Sequence, residues 1–198
     1  MTNPYPESFL RLLQHVGPDA RVLDVGSGGR VLPPQVTGLE YVPHPNNSVQ
    51  ADALALPFRD GWFDLVQCQA VLEHVTDPQL AVDEMTRVLR PGGWLYVEVA
   101  FMQPLHQAPH HYFNVTPFGL DHLCRHLTVV DRATLGTLEE QFDWIFREAG
   151  MTPEDRRIVA RYTRRLDASI KPRQRASVAS GVSITAIKPG AETDPRSP

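Results

Sequence analysis

The stretch Val22-Leu23-Asp24-Val25-Gly26-Ser27-Gly28-Gly29-Arg30 decides how the rest of the chain is read. An apolar run carrying one aspartate ends at Gly26, and three glycines fall within four residues. Arg30 then stands where a dinucleotide-type loop carries another glycine. Arg21 to Val25 reads as a short buried strand. Glycine lets a backbone turn sharply and lets a ligand come close. The carboxyl edge of a parallel sheet is where cofactors sit in open α/β folds. Asp24 can accept hydrogen bonds from loop amides or from a ligand amine. A plain strand-to-loop turn would use the same glycines for geometry alone, and a glycine fingerprint by itself does not separate the two.

Outward from the turn, short apolar runs alternate with helical patterns. Val36 to Val42, Val49 to Ala51 and Trp62 to Gln69 read as the next three strands. Asp77 is a good N-cap before Pro78, and Leu80, Ala81, Met85, Val88 and Leu89 keep helical spacing on one face. Arg90-Pro91-Gly92-Gly93 ends that helix, and Trp94 to Ala100 is a fifth strand. Thr116-Pro117 opens a helix with Leu120, Leu123 and Leu127 turned inward, and Leu127 to Asp131 follows as a sixth strand. Thr137 to Glu140 is a capping box before a helix carrying Leu138, Phe142, Ile145 and Phe146. Gly150 closes it. Thr152-Pro153-Glu154 starts another helix with Ile158, Val159, Tyr162 and Leu166 as its apolar stripe. Val182 to Ile187 is a last strand. Such alternation means an α/β domain with a largely parallel sheet.

The chain has 198 residues, a net charge of −4 and 42% hydrophobic residues, which suits one globular domain with a real core. The mild acidity argues against a general nucleic-acid binder. Cys68 and Cys124 make no disulfide framework and read as reduced packing residues of a cytoplasmic protein. No run approaches the length of a membrane span, and no basic-then-apolar leader is visible at the start.

The ordered series "DVGSGG … ADALALPF … FDLV … VLEHV … RVLRPGG" resembles the class I methyltransferases that use S-adenosyl-L-methionine, in a compact variant of the methyltransferase type 11 group. The likeness is close from about Val22 to Val99 and looser to Ile187. It implies a Rossmann-like α/β fold with a mostly parallel seven-stranded sheet. One domain is expected over 1–188, with a helical insertion at about 137–180 and a disordered tail at 189–198. It also implies cofactor contacts at Asp24, Gly26, Ser27, Gly28, Glu40, Asp52, Ala53, Leu54 and Gln69. Glu40 would hold the ribose hydroxyls. Asp52 would take the adenine amine, with Ala53 and Leu54 against the ring. His74 would stand near the reactive methyl, although Glu73 and His74 also fit an ordinary helix start. Asp64 reads as support for the start of its strand.

Three departures from the family pattern matter. Arg30 displaces the third glycine, Val31-Leu32-Pro33-Pro34 forbids the usual helix, and the stretch from Glu40 to Asp52 is too short for another. Early helices are therefore expected to be reduced. Arg30 either supplies a cation near the cofactor's carboxylate or faces solvent.

Methyl transfer to a hydroxyl usually requires a proton to be taken. His106 to Asn114, after the fifth strand, carries three histidines and a tyrosine in a proline-marked loop. His110 and His111, with His74, are the candidate general bases. His106 and His110 could converge on one ion, but no carboxylate is nearby in sequence, so no metal site is expected. His122 and His126 lie one turn apart on what reads as an exposed helix face. The basic run Arg156, Arg157, Arg161, Arg164, Arg165, Lys171, Arg173 and Arg175 reads as a solvated face or as a contact for something acidic.

The expected function is methyl transfer from S-adenosyl-L-methionine to oxygen or nitrogen of a small molecule, a sugar or natural-product scaffold being favoured. The alternative is a protein that binds the cofactor as a regulator, or that catalyses another reaction with it. The expected partner is a small-molecule acceptor, with a homodimer allowed and neither membrane nor nucleic acid involved.

Overall fold

The computed structural model describes residues 4–190, so the stretch 191–198 of the expected tail lies outside the described residues. Seven strands form one sheet in the order β3-β2-β1-β4-β5-β7-β6. They are β1 (Val22–Val25), β2 (Val36–Glu40), β3 (Val49–Gln50), β4 (Phe63–Gln69), β5 (Leu89–Ala100), β6 (Thr128–Leu135) and β7 (Gly181–Ile187). The β1–β5 pairings are parallel, and β7 runs antiparallel to both β5 and β6. This is the Rossmann-like class I methyltransferase arrangement expected from the sequence.

The helices are α1 (Glu7–Val16), α2 (Pro78–Val88), α3 (Pro117–Leu123), α4 (Leu138–Glu148), α5 (Pro153–Asp167) and α6 (Pro172–Arg175). Asp77, Thr116 and Thr137 cap their helices through side-chain acceptors, Thr137 with a complete capping box to Glu140. No helix stands between β1 and β2, where Pro33 and Pro34 fall. The three helices α4–α6 lie between β6 and β7. No helix of the described residues is long and apolar enough to cross a membrane.

The sheet buries two different faces. One holds Leu23, Val25, Val66, Cys68, Leu95 and Val97 against α2 and α3. The other holds Val22, Leu65 and Tyr96 against Phe9 and Leu12 of α1. The sequence reading assigned no element to residues 7–16. Here α1 covers the sheet face that the missing early helices would leave bare.

The second face becomes polar toward the carboxyl ends of the strands. Asp24 stands opposite Gln67, Gln67 opposite Tyr96, and Gln69 opposite Glu98, so all project to the same side. Gln67 donates to Asp24 at 2.9 Å, Gln69 to Glu98 at 3.1 Å, and Tyr96 to Glu98 at 3.0 Å. Ser8, from α1, closes the network on Tyr96.

Several local expectations are corrected. Arg90-Pro91-Gly92-Gly93 is part of β5, because Gly92 N–H and Gly93 C=O pair with Lys188 beside it. β6 runs on to Leu135, held by its register with β7 although its own side chains are largely exposed. Leu80 is half-exposed, and Ile158 and Tyr162 of α5 point to solvent. The helix α5 instead buries Thr163, whose hydroxyl bonds back to Val159.

Candidate functional site

A cleft of about 630 Å³ opens at the carboxyl ends of β1, β2 and β4. That size falls in the range of small-molecule sites, and the position is where ligands bind in such sheets. One end is lined by Gly26, Gly28, Arg30, Glu40, the Asp52–Leu54 turn and Gln69. The other end is lined by His74, Gln107, His110 and Tyr112.

The glycine turn is fixed by two requirements. Gly26 has φ +73°, and a Cβ there would meet Val71 Cγ2 at 2.2 Å. Gly29 also has φ +73°, and a Cβ there would meet the His44 ring at 2.5 Å. Both conformations favour glycine, and at Gly26 the contact with Val71 opposes any side chain as well. In place of a helix, the loop after β2 braces the turn. Asn46 donates to Gly29 C=O at 2.8 Å, and Ser27 Oγ donates to Asn47 Oδ1 at 2.8 Å.

The residues expected to hold a cofactor divide into two groups. Glu40 lines the cleft at the end of β2 and accepts the Gly28 N–H. Asp52 lines it too, its Oδ1 accepting from Leu54 N–H at 2.9 Å, which sets the turn that presents Ala53 and Leu54. Asp24 and Ser27, by contrast, are fully buried and do not line the cleft. The Asp24 carboxylate is taken up by Tyr5 Oη at 2.7 Å, Arg30 Nη1 at 3.0 Å and Gln67 Nε2 at 2.9 Å.

Arg30 is 8% exposed, which removes the solvent-facing alternative. Its guanidinium also donates to Gln69 Oε1 at 2.6 Å and lies 4.9 Å from the Tyr5 ring centre. Burial, together with the Asp24 charge, raises the Tyr5 phenol well above its ordinary value, so it stays a donor.

The histidines are arranged by their neighbours. His74 Nδ1 lies 2.6 Å from His110 C=O, and His106 Nδ1 lies 2.9 Å from Pro104 C=O. A carbonyl only accepts, so both rings donate from Nδ1. His111 Nδ1 accepts the His106 backbone N–H at 3.1 Å, so its Nε2 donates to Asn114 Oδ1 at 3.1 Å. His111 is thus a brace of the loop and lies outside the cleft lining, contrary to its reading as a base. His110 lines the cleft with Nδ1 3.1 Å from Tyr112 Oη. Burial lowers the His74 value.

The expectation that no carboxylate lies near the histidine loop does not survive folding. Glu73, in the 3₁₀ turn Leu72–His74, is 1% exposed and stands with His74 and His106 in one cluster. Its backbone C=O accepts from Tyr112 N–H at 2.8 Å, which docks the loop onto the turn. Burial raises its carboxyl to about 7. His110 is not part of the cluster. The sequence separates Glu73 from His106 by a helix and a strand, so only the adjacent pair "EH" signalled it.

Other groups lie off the site. Asp64 accepts from Arg21 N–H and Arg90, holding the start of β4. Arg156 and Arg164 of the basic run pair with Asp143 and Glu139 of α4, and Arg175 pairs with Asp167 of α5, so these three tie neighbouring helices together. Cys68 and Cys124 are buried free thiols.

Comparison with known proteins agrees with this architecture. Residues 23–97 match the family model of a methyltransferase domain. The ubiquinone/menaquinone biosynthesis C-methyltransferase UbiE of Shewanella woodyi is 42% identical over 72 residues, 36% of this chain and 28% of that protein. The 27-O-demethylrifamycin SV methyltransferase of Amycolatopsis mediterranei is 30% identical over 115 residues, 58% of this chain and 38% of that protein. The matched stretches thus span well under half of these relatives. Among solved structures, the Burkholderia thailandensis 1,6-didemethyltoxoflavin-N1-methyltransferase aligns with TM-score 0.59 at 19% identity, covering 92% of this chain and 77% of that one. It was solved with bound 1,6-didemethyltoxoflavin and S-adenosylhomocysteine. The [4+2]-cyclase SpnF aligns with TM-score 0.54 at 22% identity, over 86% of this chain and 75% of that one.

Proposed function

We propose that this chain, whose residues 23–97 match the family model of a methyltransferase domain, is a class I S-adenosylmethionine-dependent methyltransferase that moves a methyl group to oxygen or nitrogen of a small molecule. The observation that carries this reading is one cleft with two chemically different ends. The glycine-turn end offers the Glu40 and Asp52 carboxylates with Ala53 and Leu54 between and beside them. Carboxylates suit a ribose diol and an adenine amine, and the apolar pair suits a flat ring, so the residues present fit S-adenosylmethionine. That cofactor, when bound, supplies an electrophilic methyl on a sulfonium.

The chain's own tasks are to hold, orient and deprotonate. Glu40, Asp52 and the glycine turn hold the donor. Gln69, fixed between Arg30 and Glu98, closes the sheet side. Asp24 and Ser27 act from beneath, by fixing the turn. His110 and Tyr112 line the acceptor end; in the tautomer whose Nδ1–H donates to Tyr112 Oη, the His110 Nε2 is the basic nitrogen. The likeness to the 27-O-demethylrifamycin SV methyltransferase and to the structure with bound 1,6-didemethyltoxoflavin supports a natural-product acceptor. The UbiE likeness supports carbon as a further possible target atom.

Titration calorimetry with S-adenosylhomocysteine tests the donor half. Glu40→Ala and Asp52→Ala should each weaken binding by about 1.5–3 kcal/mol, roughly tenfold or more. No heat with the native chain overturns the reading. A screen of hydroxylated and aminated small molecules with labelled cofactor tests the acceptor half. The cyclase neighbour supports a second reading, a cofactor-bound scaffold for another reaction. A product of unchanged mass, in place of one heavier by a methylene, would establish that second reading.

A further inference from the structure

We propose that Glu73, His74 and His106 form a binding site for a divalent transition-metal cation at the acceptor end of the cleft. One donor atom from each side chain lies within 4.8 Å of the other two. Glu73 and His74 come from the turn after β4, and His106 comes from the loop after β5. The bond from Tyr112 N–H to Glu73 C=O holds the two segments together.

The protons on the rings are set for ligation. His74 and His106 both donate Nδ1–H to backbone carbonyls, which leaves a lone pair on each Nε2. Metal-binding histidines are oriented in this way, with the second nitrogen tied to a carbonyl or carboxylate. His74 Nε2 is buried without a hydrogen-bond partner, and so is Oε2 of Glu73. Buried polar atoms are almost always paired. Here two are orphaned in one cluster, Glu73 Oε2 and His74 Nε2. A cation bound by the carboxylate and the two Nε2 lone pairs would satisfy both.

The donor set narrows the ion. Two imidazoles and a carboxylate suit Zn²⁺, Fe²⁺, Co²⁺ or Mn²⁺ better than Mg²⁺ or Ca²⁺, which prefer oxygen alone. Metal–ligand bonds of about 2.0–2.2 Å put donors some 3–4 Å apart, so the side chains need draw in by only about 1 Å. His111 is not a ligand, because both of its nitrogens are engaged. The Trp144 ring lies 5.2 Å from that of His106. Three protein ligands would leave a coordination position for a further ligand, and His74 also lines the cleft in which an acceptor would sit. The ion would orient and polarise an acceptor hydroxyl there. This role rests on the methyl-transfer reading, whereas the metal site itself does not.

The test uses the full chain, without a histidine tag, stripped by chelator. Zn²⁺ is titrated by calorimetry, and Co²⁺ is followed by its visible ligand-field bands. One site is expected, giving the intense bands of a four- or five-coordinate ion. His106→Ala and Glu73→Gln should each weaken it at least tenfold, and His126→Ala, in the exposed turn after α3, should leave it unchanged. Glu73→Gln keeps the buried volume, and S-adenosylhomocysteine binding by each variant checks that it is folded. Absence of binding by either metal at about 1 mM, weaker than any working metal site, overturns the inference. So does binding that both variants leave intact. Metal binding without S-adenosylhomocysteine binding would sink the cofactor reading and leave this one standing. The reverse result would do the opposite.

Discussion

Arg30 Nη1 lies 3.0 Å from Asp24 Oδ2, and both side chains are out of solvent. The pair joins the two ends of the glycine turn, the last polar residue of β1 to the first residue after the glycines. Tyr5 and Gln67 complete the Asp24 shell, so the N-terminal segment and the turn form one buried polar unit. Removing the cation leaves a buried carboxylate without its main partner. Arg30→Gly should therefore lower stability by about 3–5 kcal/mol in urea denaturation, although it restores the commoner glycine. Tyr5→Phe should cost about 1.5–3 kcal/mol, as loss of one hydrogen bond to a charge. An Arg30→Gly variant as stable as the native chain would show that the pair is not structural.

The contact between Gly26 and Val71 makes a second prediction. Gly26→Ala brings a Cβ against Val71 Cγ2 and keeps a φ of +73° that alanine disfavours. It should lower both stability and affinity for S-adenosylhomocysteine. Adding Val71→Ala should recover part of the loss, because the steric share is removed and the backbone share remains. Additive effects of the two changes, measured by melting and calorimetry, would refute the contact.

The histidine loop makes a third. His110→Ala should lower turnover by about 10²–10⁴-fold with a true acceptor, while cofactor affinity stays within a few-fold. His111→Ala should act differently, by freeing the His106 backbone N–H and Asn114. Its effect should appear as a higher KM for the acceptor and faster amide exchange in the loop. Native kcat in the His110 variant would remove it as the base.

A fourth concerns pH. Glu84 accepts from Arg87 at 2.6 and 2.8 Å and from Leu56 N–H at 2.8 Å. The Arg87 hydrogen bonds, chiefly, hold its carboxyl below the usual value. A carboxyl depressed in the folded state binds its proton less readily than in the unfolded chain. Its stabilisation is thus full above the unfolded value near 4.5 and is lost as pH falls through the folded one. Glu84→Gln should cost about 1–2 kcal/mol at pH 7 and distinctly less near pH 3. An equal cost at both, in denaturant titrations, would show that the ionised form contributes nothing.

Local sequence determined the elements whose causes are local. Asp77-Pro78 and Thr137 through Glu140 announce helix starts, because capping needs only a side chain and the next three amides. Val22 through Gly29 announces a buried strand and a turn, because burial and positive φ restrict residue type directly. Glu40 and Asp52 were read from the family resemblance alone, and both line the cleft. The weak places were β6 and α1. The strand β6 is held by pairing with β7, and the amphipathic α1 packs Phe9 and Leu12 on the sheet face of Val22, Leu65 and Tyr96.

Tertiary structure decided what depends on side chains far apart along the chain. Asp24 looked like a ligand group and proves to be a buried anchor, because Tyr5, Arg30 and Gln67 reach it from three separate segments. His111 looked like a base and proves to be a brace, because a neighbouring backbone amide claims its lone pair. Glu73 looked like a helix start and stands beside His106, because parallel β4 and β5 bring the turn after one against the loop after the other. A sequence states which groups can accept or donate. Which partner takes each one is set only when the sheet fixes distance and excludes water.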